Sequence, residues 1–364
     1  MRLGVSAALI GDKLVSGDLE IEDGVIDQYG VGHGPGSSIA LPGFIDVHIH
    51  GRDGVDFTDA AAYDYIRVSR KIAATGVTAY QPTLASGPIE DLIRAISLHP
   101  GAMRGGAKVL GFHLEGPFLS PEMPGAQDIR SLATPSIELA RKLVEAGPVA
   151  QMTLAPELDG ALPVVEYLVS EGVTVSLGHS AASREATYAA LERGASAFTH
   201  VFNAMARLDH REPGILGVAL AHPSSYLTAI FDHVHLSDEV ETLLTRSASD
   251  RLVAITDGTA AVGRDGAGSR LGPRPTTVAD GAPRLPDGRL AGSILTMDAA
   301  FRSLIDKGLS IVEAARATSS NPATLSGLEE LGALHPGNPA DIVVLDDDFR
   351  VIRTLVGGVE VFTA

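Results

Sequence analysis

From Leu41 onward the apolar positions of the chain gather into eight short runs, most of them ending in a polar residue. They are FIDVHIH (44–50), GVTAYQPT (76–83), VLGFHLE (109–115), AQMTLAPE (150–157), VTVSLGH (173–179), AFTHVFNA (197–204), YLTAIFDHVH (226–235) and LVAITD (252–257). Within a run the apolar residues are nearly continuous, the pattern of a strand covered on both faces by crossover helices. Several of the intervening stretches have helical patterning. Ala61–Thr75 is one, and Ser183–Arg193 is another, with a serine cap in front and Gly194 behind. Eight such repeats predict an α/β fold, a (β/α)8 TIM barrel over residues 41–336.

The flanks read differently. Residues 1–40 are short, glycine-punctuated and strand-like, and residues 337–362 (GNPADIVVLDDDFRVIRTLVGGVEVF) hold strands around an acidic turn and a VGGVEV hairpin signal. Residues 1–40 and 337–364 are therefore expected to form one small β-sandwich domain from both chain termini. Residues 261–293, rich in Gly, Pro and Arg, are too irregular for a barrel helix and predict an inserted hairpin or loop beside the eighth strand.

The length of 364 residues suits a barrel of roughly 250 residues with a modest appendage. No apolar run approaches the ~18 residues of a membrane span, and the N-terminus lacks a basic segment followed by an apolar core, so a cytoplasmic location is expected. The sequence has no cysteine, which excludes disulfides and thiolate metal sites and leaves imidazole and carboxylate as metal ligands. A net charge of -17 opposes unspecific binding to nucleic acid or an anionic membrane. It leaves room for a small anionic ligand held by a few aimed arginines and backbone N–H groups.

Active sites of (β/α)8 barrels lie at the C-terminal ends of the strands. The polar residues there are His48 and His50 (strand one), Glu115 (three), His179 (five), His200 (six) and Asp257 (eight). Side chains alternate along a strand, so the His-x-His spacing puts both imidazoles on one side. An ionised Glu115 closing an apolar strand needs a cation or donors to offset its desolvation. Asp257, which would otherwise cap a following helix, is placed to move a proton to and from a water acidified by a metal.

The strings PGFIDVHIHG, HLEGPF, TLAPE, LGHS, THVFNAM, REPG, TDG and LAGSILTMD, in this order, closely resemble the N-acetylglucosamine-6-phosphate deacetylases of the amidohydrolase superfamily. With NPA at 321–323 and GALHPGNPADIVVLD at 332–346, the resemblance spans nearly the whole chain. It implies a catalytic divalent metal on Glu115, His179 and His200, with zinc, iron or manganese suited to such ligands. It implies that metal-bound hydroxide attacks the acetamide and that Asp257 is general base and then general acid, giving acetate and glucosamine 6-phosphate. It also implies phosphate contacts from Asn203, Ala204, Arg211 and His235, with Arg211 supplied by the neighbouring subunit of a homodimer.

Two departures matter. Some relatives replace the His-x-His pair with Gln and Asn and use one metal, whereas His48 and His50 here admit a second ion bridged through Glu115. Gln127 stands where some relatives carry a histidine that polarises the substrate carbonyl, and its amide is an uncharged donor. The rival readings are another N-acyl substrate, such as N-acetylgalactosamine 6-phosphate, and a catalytically silent barrel used as a binding protein. The latter would be marked by missing metal ligands.

Overall fold

A computed structural model describes the chain from Met1 to Ala364 apart from residues 33, 35 and 265–267. Eight barrel strands follow in chain order: β1 (Phe44–Ile49), β2 (Val77–Ala85), β3 (Phe112–Glu115), β4 (Val149–Leu154), β5 (Thr174–Leu177), β6 (Ala197–Phe198), β7 (Tyr226–Ala229) and β8 (Leu252–Ala254). Each pairs in parallel with its predecessor. The ring closes just beyond β8, where Asp257 N–H donates to the His48 carbonyl (2.9 Å) and His50 N–H to the Gly258 carbonyl (2.7 Å).

Each strand is followed by a helix: α1 (Ala62–Ala73), α2 (Ile89–Ser97), α3 (Ile137–Glu145), α4 (Ala161–Ser170), α5 (Arg184–Leu191), α6 (Gly214–Ala221), α7 (Asp238–Ala248) and α8 (Met297–Asp306). The Ser183 side chain accepts from Ala186 N–H at the start of α5, and Gly194 beyond its end has φ +98°, as the cap residues led one to expect.

Several strands are shorter than their apolar runs. The third run is interrupted at Leu110–Gly111, where Gly111 has φ +126°. The sixth, expected over 197–204, pairs only at Ala197 and Phe198. There the chain leaves the ladder early: His200, Phe202 and Ala204 all have positive φ (31°, 75° and 48°), a conformation incompatible with a strand.

A second core cluster joins Ile45, Val47, Ala79, Ala197, Ile230 and Val253 from the barrel strands and their ends to Ala323, Leu325 and Leu331 from the segment after α8. The Asn321 side chain fixes that segment through a bond to the Leu252 carbonyl (2.7 Å), at the start of β8.

Both termini enter one six-stranded sheet in the order Lys13–Ser16, Ala7–Ile10, Ile39–Pro42, Ile342–Leu345, Val351–Val356, Val359–Thr363. A hairpin, Asp18–Glu22 with Val25–Val31, faces it across a core that includes Leu19, Ile21, Ile26, Ile342, Val344 and Leu355. Gly43 joins this sheet to β1; a Cβ there would lie 2.2 Å from the Thr78 side chain, so only glycine fits the PGF string.

Between β8 and α8 the insertion is a three-stranded antiparallel sheet, Ser269–Leu271, Arg274–Ala279 and Ala282–Arg284. Leu271, Leu285 and Ala291 seat it against Ala85 at the end of β2. Among the described residues no helix is long and apolar enough to cross a membrane.

Candidate metal centre

His48 and His50 enter the barrel mouth from the end of β1, His48 within and His50 just beyond a shift in its register with β2 between Asp46 and Ile49. Glu115 is the last residue of β3, while His179, His200 and Asp257 lie just past the ends of β5, β6 and β8. These last three have left-handed backbones (φ 48°, 31° and 50°), an uncommon conformation that concentrates at functional sites. All six are buried.

Glu115 is the hub. Its Oε1 lies 2.9 Å from His200 Nε2, 3.1 Å from His179 Nε2 and 3.4 Å from His48 Nε2, and its Oε2 lies 3.3 Å from His50 Nε2. Asp257 Oδ1 is 3.2 Å from His50 Nε2 and 3.4 Å from His48 Nε2, while Oδ2 makes no hydrogen bond among the described residues. The donors form two sets, Glu115–His179–His200 and His48–His50–Asp257, each with ligand atoms within 4.8 Å of one another.

The electrostatics follow from crowding two carboxylates among four imidazoles in a dry site. Burial by itself raises the Glu115 carboxyl, but the neighbouring imidazoles, with the hydrogen bonds from His179 and His200, hold it well below the ordinary range. Burial lowers His50, yet bonds to Asp257 and Glu115 push it up to about 10. Burial drives His48 well below its usual value despite Glu115. Without a cation, protons on imidazole must balance the carboxylates. Converging Nε2 and carboxylate donors can accept a divalent ion in place of those protons, and this donor set fits one.

Surrounding residues fix the donors. Ser293 N–H donates to the Asp257 carbonyl (2.8 Å), and a Cβ on Gly292 (φ +67°) would sit 2.6 Å from that oxygen, which explains the AGS string. His179 Nδ1 meets the Met123 carbonyl at 3.1 Å, as second-sphere partners commonly do for ligating histidines. Glu157 of the APE string receives Ser180 Oγ–H and Ala181 N–H (both 2.7 Å), holding the chain after His179.

A cavity of about 240 Å³ opens over the cluster. Its lining includes Gln127, Asn203, Ala204 and His235, each named from the sequence. His235 Nδ1 binds Asp232 Oδ2 (2.8 Å), which fixes the tautomer and leaves Nε2 as the other ring nitrogen. Arg211 is exposed and outside the lining of this single chain; its backbone N–H bonds Asp209 Oδ1 (2.8 Å).

Three residues escaped the sequence reading. Asp46 fastens β1 to β8 by accepting from Thr256 Oγ1 (2.5 Å), and burial raises it to about 7. A carboxylate inside the apolar FIDVH run was the available signal. His113, two residues before Glu115, is fully buried between Thr83 Oγ1 (3.2 Å) and Thr153 Oγ1 (2.8 Å), and burial lowers it to about 3. Arg289 lines the cavity from the insertion, where the pattern of polarity offered no clue.

The amidohydrolase family model matches residues 39–361, most of the chain. This chain belongs to the amidohydrolase family. Among known relatives, the rat N-acetylglucosamine-6-phosphate deacetylase is 38% identical over 349 residues, covering 90% of this amidohydrolase and 85% of the rat protein. An N-acetylgalactosamine-6-phosphate deacetylase of Escherichia coli O157:H7 is 33% identical over 329 residues, covering 88% and 87%. An aspartate-to-alanine mutant of N-acetyl-D-glucosamine-6-phosphate deacetylase from Mycobacterium smegmatis, solved in complex with N-acetyl-D-glucosamine-6-phosphate, superposes with a TM-score of 0.94. It is 34% identical, and the match covers 100% of this chain and 99% of that one. This amidohydrolase is accordingly a hydrolase with a complete set of candidate metal ligands, so the silent-barrel reading loses its expected mark.

Proposed function

We propose that this amidohydrolase removes the acetyl group of N-acetylglucosamine 6-phosphate, giving glucosamine 6-phosphate and acetate. The observation that carries the reading is the juxtaposition of Asp257 with the Glu115–His179–His200 donors at one cavity whose lining also holds His235, Asn203 and Ala204. Likeness along the whole chain to a deacetylase solved with that phosphosugar supports the substrate.

Glu115, His179 and His200 would hold the catalytic ion, and His48 and His50 a second one. A divalent ion there, with zinc the first choice for such ligands, supplies acidification of water and polarisation of a carbonyl. Asp257 takes the proton from the water as the new C–O bond forms, then delivers it to the amine nitrogen as the C–N bond breaks. Its backbone clamp and its freer Oδ2 suit that transfer. His235 Nε2 and the backbone at 202–204, where left-handed residues recur at alternate positions, suit the phosphate end. Arg211 would complete that end from the second subunit of a homodimer, which fits its exposure in one chain.

Acetate release from N-acetylglucosamine 6-phosphate, N-acetylgalactosamine 6-phosphate and unphosphorylated N-acetylglucosamine tests the proposal. The first is expected to be fastest; an equal rate without the phosphate would sink the phosphosugar reading. The second reading, the galactosamine epimer, is supported by the E. coli relative, and a faster rate on that substrate would select it.

A further inference from the structure

The geometry points to Gln127 as a positioning residue for Glu115, with its amide engaged by the metal-binding carboxylate. This inference rests on the site holding a cation, as proposed above. Gln127 is buried and its side chain has two partners: Ser86 N–H donates to Oε1 (2.8 Å), and Nε2 donates to Glu115 Oε2. The two bonds allow one orientation of the amide. A backbone N–H can only donate, so it must face the oxygen; a carboxylate can only accept, so it must face the nitrogen. Turning the amide over would break both bonds and set an oxygen against a carboxylate.

Ser86 completes a closed arrangement. Its Oγ donates to the backbone carbonyl of Glu115 (3.0 Å) while its N–H holds Gln127, so one residue beyond β2 fixes both the main chain of Glu115 and the group that orients its side chain. Gly116 makes room for this: a Cβ there would lie 2.2 Å from Ser86 Oγ. From outside, Arg274 Nη1 reaches the Ala126 and Gln127 carbonyls (3.4 and 3.3 Å), so the insertion holds the loop that carries Gln127.

The consequence is a carboxylate with divided duties. Oε2 is tethered by Gln127, which turns Oε1 towards His179 and His200. A hydrogen-bonded partner that orients a ligating carboxylate commonly contributes 10- to 100-fold in metal affinity. Gln127 thus acts on the cation through Glu115, a role separate from polarising the substrate carbonyl.

The test is competition for Zn²⁺ between the metal-free full-length protein and a chromophoric chelator, for wild type, Gln127→Met and Gln127→Asn. Met keeps the length without the donor, and Asn keeps the amide but is too short to span Ser86 and Glu115. Both variants are expected to lose about 10- to 100-fold in affinity for the tightest ion, with the melting temperature of the metal-free protein shifted by no more than a few degrees. Zn²⁺ affinity within twofold of wild type in either folded variant overturns the inference; a raised KM for the acetylated sugar beside it would make Gln127 a substrate contact. The chelator readout uses no substrate, so it stands or falls independently of the deacetylase assignment.

Discussion

Asp257 has little freedom. Its N–H is tied to β1, its carbonyl to Ser293, and its Oδ1 sits beside two imidazoles. Replacing it with Asn preserves the shape but removes the proton acceptor. Asp257→Asn is expected to lower turnover by about 10²- to 10⁴-fold, while elemental analysis finds metal content unchanged; turnover near wild type would remove Asp257 as the base. Arg211→Ala is expected to raise KM for the phosphorylated sugar by about 10-fold or more, the range for a charge-assisted hydrogen bond, and to leave KM for the unphosphorylated sugar alone. At this scale the sequence was most informative where a charged or metal-binding side chain closed an apolar run, as at Glu115 and His179. His113 and Asp46 lie inside such runs, and their partners come from other strands, which one run in isolation does not reveal.

Among the elements, the mouth loops bring most of the chemistry into register. The segment 197–204 reads as one strand because it is largely apolar, and Ala197–Val201 are buried as strand residues would be, but burial is shared by a strand and by a loop folded into a barrel mouth. Backbone left-handedness at His200, Phe202 and Ala204 is invisible to hydrophobic pattern, since these residue types do not advertise it as glycine would. Gly292 is the opposite case: its φ of +67° and its approach to Asp257 make it irreplaceable on two counts. Gly292→Ala is expected to destabilise the protein by about 1–3 kcal/mol, read as a lowered midpoint of thermal melting, and to depress turnover by displacing Asp257. A melt and rate both unchanged would show that the loop absorbs the methyl group.

For the whole molecule, the eightfold strand count was legible because both-face burial leaves a distinctive continuous pattern. The joining of the two ends was legible from their strand-like character, while their order in the sheet rests on long-range pairing that no local signal encodes. Subunit cooperation in the site has its own measurement. Mixing Asp257→Asn and Arg211→Ala chains after dissociation, assayed at phosphosugar well below KM where each variant alone is slow, is expected to restore about a quarter of the wild-type rate, because half of the proposed dimers are then mixed and one site in each is whole. No recovery would place Arg211 outside its neighbour's site.

The pairing of Ile342–Leu345 with Ile39–Pro42 sets a timetable for the newborn chain. The early strand feeds through Gly43 straight into β1, which carries His48 and His50, yet its partner is made only after all eight barrel strands. Until then Ile39–Pro42 has one unpaired edge, a template for association with other chains. Synthesis is slow on the timescale of collapse, so a barrel whose strands are all made must wait for Ile342–Leu345 to secure the entrance to its first strand. A message truncated shortly before Ile342 would therefore yield a chain prone to aggregate despite encoding every proposed metal ligand.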